Sequence, residues 1–101
     1  MIVTRNVTVV TAGTRVQAIT TRTPCAWISI QARGANVGNI FHGDADVSST
    51  RGHAISPGGG GGQPQYPTMG GGPGINAYDL RELYIDAAND NDVAQIIYCT
   101  R

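Results

Sequence analysis

Ile, Val and Thr together supply 28 of the 101 residues, whereas Leu occurs twice, Glu once and Lys not at all. Side chains branched at Cβ lose rotamer freedom against the preceding turn of a helix but sit well on a pleated, half-buried surface. A chain so short of the long unbranched helix formers has to build its core from strands. The spacing of the apolar residues agrees with that. Residues 1–10 place Val3, Val7 and Val9 on one parity, and residues 15–20 set Val16 and Ala18 against Ile19. Residues 26–33 alternate most regularly, with Ala26, Ile28, Ile30 and Ala32 inward and Ser29, Gln31 and Arg33 outward. Further short strands are expected at 37–42 and 51–56, and another over 79–87 with Leu83, Ile85 and Ala87 on one side. Leu80-Arg81-Glu82-Leu83 is the only helical candidate, one turn at most. Asn89-Asp90-Asn91-Asp92 has hairpin-turn chemistry, because Asn and Asp tolerate left-handed backbone and bond their own turn. Residues 93–100 are apolar on both parities, so one face should meet the core and the other a partner or second layer. About seven short strands with regular turns predict an all-β fold, a single antiparallel β-sandwich of jelly-roll or Ig-like type.

One stretch breaks this pattern. Residues 57–74 hold nine of the fourteen Gly and four of the five Pro. Gly permits too many conformations and Pro removes donors, so neither helix nor ladder strand is expected there. The chain therefore reads as one domain over 1–101 with an inserted flexible Gly/Pro-rich loop at 57–74. Tyr66 and Met69 are the only apolar side chains in that loop, a short sticky island between Gly tethers. Such an arm can become ordered on a neighbouring subunit.

Net charge is zero, with seven Arg against seven acids, which disfavours a role in tracking nucleic-acid phosphates. No apolar run approaches the roughly 20 residues of a membrane helix, and the first residues lack the order of a signal peptide. The charge is unevenly placed. Residues 1–42 carry Arg5, Arg15, Arg22 and Arg33 and no acid, while 43–101 carry three Arg and all seven acids. Opposite patches of this kind can fix register in a ring or trimer, or pair the two sheets internally. The codon preference of a GC-rich genome accounts equally for the exclusive use of Arg.

Little in the chain has the spacing that catalysis or metal binding needs. Cys25, His42, His53 and Cys99 could make a zinc set, but no two have close ligand spacing. The acidic turns at 44–46 and 89–92 lack the frame of a calcium loop and read as solvated turns. The Gly runs open no helix, and no nucleophile elbow or triad order occurs. The expectation is a non-enzyme without cofactor or metal. Cys25 and Cys99 read as free thiols, with a disulfide as the alternative. Trp27 and Tyr84 fall on the polar parity of their strands, with Tyr98 a weaker case, and exposed aromatics can stack on sugars or anchor an interface.

Three stretches together resemble one family. Val9-Val10-Thr11-Ala12-Gly13-Thr14-Arg15-Val16-Gln17 is similar to the first strand and turn of small virion proteins of tailed phages. Ile28-Ser29-Ile30-Gln31-Ala32, then 36–47 and Ile55-Ser56-Pro57-Gly58, resemble their central strands. Ala77-Tyr78-Asp79-Leu80-Arg81-Glu82-Leu83-Tyr84-Ile85-Asp86-Ala87 resembles their final hairpin. The likeness covers about 80 residues in order and departs after Gly58, where relatives continue a strand instead of a glycine tract. It implies a capsid decoration (cement) protein, made in the bacterial host cytoplasm and bound to the capsid surface of the virion. There it would tie major capsid protein subunits together, commonly as a homotrimer or other homo-oligomer, without nucleic acid or membrane as partner. For such a role the side chains expected to make contact are Arg15, Arg22 and Arg33, facing capsid carboxylates, with Trp27, Tyr66, Met69 and Tyr84 supplying apolar contact. A low-copy head–tail, head-fibre or tail-tip part, and a carbohydrate-binding β-sandwich, are the alternatives.

Overall fold

The structure, a computed structural model, describes residues 1–57 and 78–100. In chain order the strands are β1 (Ile2–Val9), β2 (Val16–Gln17), β3 (Pro24–Ala32), β4 (Ile40–Gly43), β5 (His53–Ile55), β6 (Tyr78–Asp79), β7 (Tyr84–Ala87) and β8 (Asp92–Thr100). One 3₁₀ turn, Leu80–Glu82, stands between β6 and β7. The strands form two antiparallel sheets, ordered β1-β8-β3-β6 and β2-β7-β4-β5, so the fold is the all-β sandwich that the β-branched composition demands. Val7, Val9, Ile28, Ile30, Ala94, Ile96 and Tyr98 of the first sheet meet Ile40, Ile55, Ile85 and Ala87 of the second, with Leu80 and Leu83 among them.

β8 resolves the strand that is apolar on both sides. It lies between β1 and β3, with Val3 opposite Tyr98 and Ile28 opposite the same tyrosine from the other side. Ala94, Ile96 and Tyr98 turn into the core, while Ile97 is 41% exposed on the outer face. Tyr98 is thus a core residue and not an exposed aromatic. In β3 the register shifts between Cys25 and Trp27. This bulge lets Cys25 and Ala26 both be buried and turns Trp27 outward.

Several elements differ from the sequence expectation, each for a local reason. The strand expected at 37–42 begins only at Ile40, because the N–H groups of Val37 and Gly38 donate to the Asp92 carboxylate, at 3.0 and 2.9 Å. The strand expected over 79–87 is broken. The Asp79 carboxylate accepts from the N–H of Arg81 at 3.0 Å and from that of Thr23 at 2.9 Å, which starts the 3₁₀ turn. The chain then passes from β6 in one sheet to β7 in the other. Residues 15–20 contribute only Val16–Gln17, and 51–56 only His53–Ile55. The turn at 89–92 does carry a left-handed residue, Asn91 at φ 65°, but it joins strands of different sheets and closes no hairpin. Nor is it solvated throughout, since Asp92 is 3% exposed. Most of the Gly/Pro-rich loop, with Tyr66 and Met69, lies outside the described residues.

Gly52 is a position where only glycine fits, with φ +111° and the His42 carbonyl oxygen 2.6 Å from where a Cβ would stand. Replacing Asp92, itself buried, removes the shared acceptor of the Val37 and Gly38 N–H groups, both in part-buried hydrogen bonds. Asp92→Ala should therefore lower unfolding free energy in urea by about 2–4 kcal/mol. Asp90 is exposed and, among the described residues, accepts only from the Ala12 N–H, so Asp90→Ala should cost about 1 kcal/mol. Equal losses in the two variants would show that the buried aspartate is not the loop anchor.

Candidate functional site

The outer face of the first sheet is a candidate contact surface. The pleat sends Ile2, Thr4, Asn6 and Thr8 of β1 to that face, and the register aligns them in rows across three strands. Ile2, Cys99 and Trp27 form one row, Thr4, Ile97 and Ser29 the next, and Asn6, Gln95 and Gln31 a third. None of these nine side chains bears a charge. A shallow cavity of about 330 Å³ opens here, lined by Thr4, Asn6, Ser29, Gln31, Gln95, Ile96 and Ile97. The amides of Asn6, Gln31 and Gln95 make no hydrogen bond to another described residue. They are exposed donors and acceptors held in a line by the ladder beneath them.

A second cavity, about 270 Å³, lies at one end of the sandwich, lined by Ile28, Gly43, Asp44, Tyr78, Asp79, Glu82 and Leu83. Two of its three carboxylates are already engaged. Asp44 meets Arg51 at 3.4 Å, and Asp79 meets Arg81 at 3.6 Å. The Thr23 N–H first, then that of Arg81 and the nearby charges of Arg81 and Arg22, hold the Asp79 carboxyl below its ordinary range. The Asp46 N–H and Arg51 do the same for Asp44. Both groups are thereby kept ionised, and neither is poised as a proton donor near neutral pH.

The contact residues proposed from the sequence do not gather on one patch. Arg15 ends the turn between β1 and β2, whose Gly13 N–H donates to buried Asp86 at 3.0 Å. Arg22 precedes β3, close enough to Asp79 to lower its pKa, and Arg33 follows β3. The nine residues of β3 stand between them, a span of about 30 Å at strand rise. Trp27 is half-buried on the outer face of the first sheet, whereas Tyr84 lies on β7 of the second, paired with Gln17 and Gly43. Tyr66 and Met69 fall outside the described residues. The amide row escaped the sequence reading, although Asn6, Gln31 and Gln95 all sit at solvent parity. What aligns them is the register of three strands far apart in sequence.

The four candidate zinc ligands are divided between the sheets, Cys25 on β3 and Cys99 on β8, His42 on β4 and His53 on β5. Among the described residues no three His, Cys, Asp or Glu side chains converge as metal ligands. Both cysteines are free. Cys25 is fully buried, and burial raises its thiol pKa, offset in part by a backbone hydrogen bond from Leu80. An alkylating reagent at mildly alkaline pH should therefore label half-buried Cys99 at least about tenfold faster than Cys25. Equal rates read by peptide mass mapping would contradict this placement.

His42, 3% exposed, stands edge-on to His53 with ring centroids 5.8 Å apart. Burial, and then the neighbouring His53, lower its pKa to about 4. The unfolded chain takes up a proton near pH 6.5 that the folded chain refuses until about pH 4. Stability should thus fall by about 2–3 kcal/mol as pH drops through that window. His42→Gln should remove that part of the acid sensitivity; urea titrations across the window read it directly.

Comparison with known proteins returns no match of any kind: no family model, no curated protein and no solved structure matches this chain.

Proposed function

We propose that this chain is a structural protein of a tailed-phage virion, a capsid decoration (cement) protein that binds the outside of the head and ties major capsid protein subunits together. The observation that carries the reading is the ordered resemblance of about 80 residues to small virion proteins of that kind. The surface is compatible with such work. A sheet face whose three rows carry no charge, bearing Trp27 and Ile97, offers contact area, and repetition over a lattice turns modest contacts into durable attachment. In this reading Arg15, Arg22 and Arg33 contact capsid carboxylates from separate parts of the domain. Trp27, Tyr84 and the loop residues Tyr66 and Met69 add apolar contact.

Quantitative mass spectrometry of purified virions of the source phage tests this. A copy number comparable to that of the major capsid protein is expected. A low copy number would instead make the chain a head–tail, fibre or tail-tip part, and absence from the particle would overturn the virion reading.

One observation favours a second reading, a carbohydrate-binding sandwich. The shallow cavity on the outer face presents hydroxyls and amides from Thr4, Ser29, Asn6, Gln31 and Gln95, the groups that pair with sugar hydroxyls. Glycan-array binding that Gln95→Ala abolishes would support it.

A further inference from the structure

We infer that β1 is an interface between two copies of this chain, joined edge to edge about a two-fold axis at Asn6 into one continuous eight-stranded sheet. This does not rest on the virion reading; it follows from the hydrogen-bond pattern of the strand.

β1 runs for eight residues at the edge of its sheet, with β8 on one side only. The Thr100 N–H donates to the Met1 carbonyl at 2.8 Å, and the Met1 amino group donates back to the Thr100 carbonyl. That makes Met1 and Thr100 a bonded pair. In an antiparallel ladder bonded and non-bonded pairs alternate, so Val3, Arg5 and Val7 also bond β8. The N–H and C=O groups of Ile2, Thr4, Asn6 and Thr8 therefore point away from β8, and no other described residue bonds them. β1 contains no Pro, Lys or acidic residue that would block a second strand. Its one charged side chain, Arg5, is turned back across the sandwich, where Nε donates to the Ala18 carbonyl at 2.6 Å.

The outward groups complement a second copy of themselves, and three features choose one register. With the axis at Asn6, Thr4 of each copy lies opposite Thr8 of the other, and the two Asn6 residues face each other, giving about six backbone hydrogen bonds. Ile2 then lies beside Val10, the first residue past β1, of the second copy. These two are 66% and 65% exposed, among the most exposed large apolar residues of the domain, and each would cover the other. Arg5 falls opposite Val7 of the second copy, whereas an axis at Arg5 would pair the one charged residue of each strand with its own copy. The amide row Gln31, Gln95, Asn6 would also run on unbroken into Asn6, Gln95 and Gln31 of the second copy. A second copy is thus the occupant that the edge fits at its backbone, its apolar ends and its amide row.

Sedimentation equilibrium of the full chain from micromolar to millimolar concentration tests the proposal. A monomer–dimer equilibrium is expected. Asn6→Lys places two ammonium groups face to face at the axis, and Asn6→Pro deletes an outward N–H that makes no bond within the sheet. Each should weaken dimerisation by at least about tenfold. Asn6 is exposed, so the lysine variant keeps the fold, as unchanged far-UV circular dichroism would report, and it decides the matter if the proline variant does not fold. In hydrogen exchange the amides of Thr4, Asn6 and Thr8 should gain protection with concentration, while those of the other edge-remote loops should not. A monomer at every concentration, an assembly of another order, or a dimer that Asn6→Lys leaves intact would overturn the inference. All of these are read without a virion, so they leave the outcome of the copy-number experiment unaffected.

Discussion

The last strand of this chain is hydrogen-bonded on one side to the first and on the other to the third, and every other layer depends on that pairing. β8 supplies Ala94, Ile96 and Tyr98 to the core from the middle of its sheet, and Gln95, Ile97 and Cys99 to the opposite face. Without it β1 and β3 would have no common partner, and the three rows of the outer face would not exist. Because residues from both ends of the chain must meet before this sheet forms, loop-closure entropy is spent before the pairing is rewarded. In each sheet nearly all neighbours are distant in sequence; β4 and β5 are the one pair of consecutive strands that lie side by side.

Aspartates, together with the buried Ala18, Leu80 and Leu83, hold the connections between the sheets. Asp79 captures the backbone of Thr23 and Arg81, Asp86 that of Gly13, and Asp92 that of Val37 and Gly38. Asn36 acts similarly just past the end of β3. Its amide both donates to and accepts from the backbone of Val93, adding to the rung in which the Arg33 N–H donates to the Val93 carbonyl. A domain of this size has short loops with many backbone donors near the interior, and a carboxylate accepts two of them at once. Of the seven acids after residue 42, Asp86 and Asp92 are buried and Asp79 is half-buried, while Asp44, Asp46, Glu82 and Asp90 are exposed.

The arginines are also spread. Arg5 reaches across the gap between sheets, Arg22 adjoins Asp79, and Arg33 stands at the far end of β3. The halves of opposite charge in the linear chain thus become neighbours in space, because strands from both halves alternate within each sheet. What stays uncharged is the outer face of β1, β8 and β3, together with the open edge of β1. Contact on this side would rest on backbone, amide and apolar groups, with little dependence on salt.

From the residues alone, composition and period determined the all-β class, the inward parity of Val7, Val9, Ile28, Ile30 and Ala32, and the left-handed turn near Asn91. These are local properties: side-chain shape sets strand preference, and alternation records which face is buried. The position of the 3₁₀ turn was legible for the same reason, since Asp79 caps it from the adjacent residue. Which strands pair, that Tyr98 turns inward, that Asp92 is buried, and that Asn6, Gln95 and Gln31 form one row were decided only by the tertiary structure. Each depends on register between segments far apart in sequence, and a shift of one residue would send every side chain of a strand to its other face.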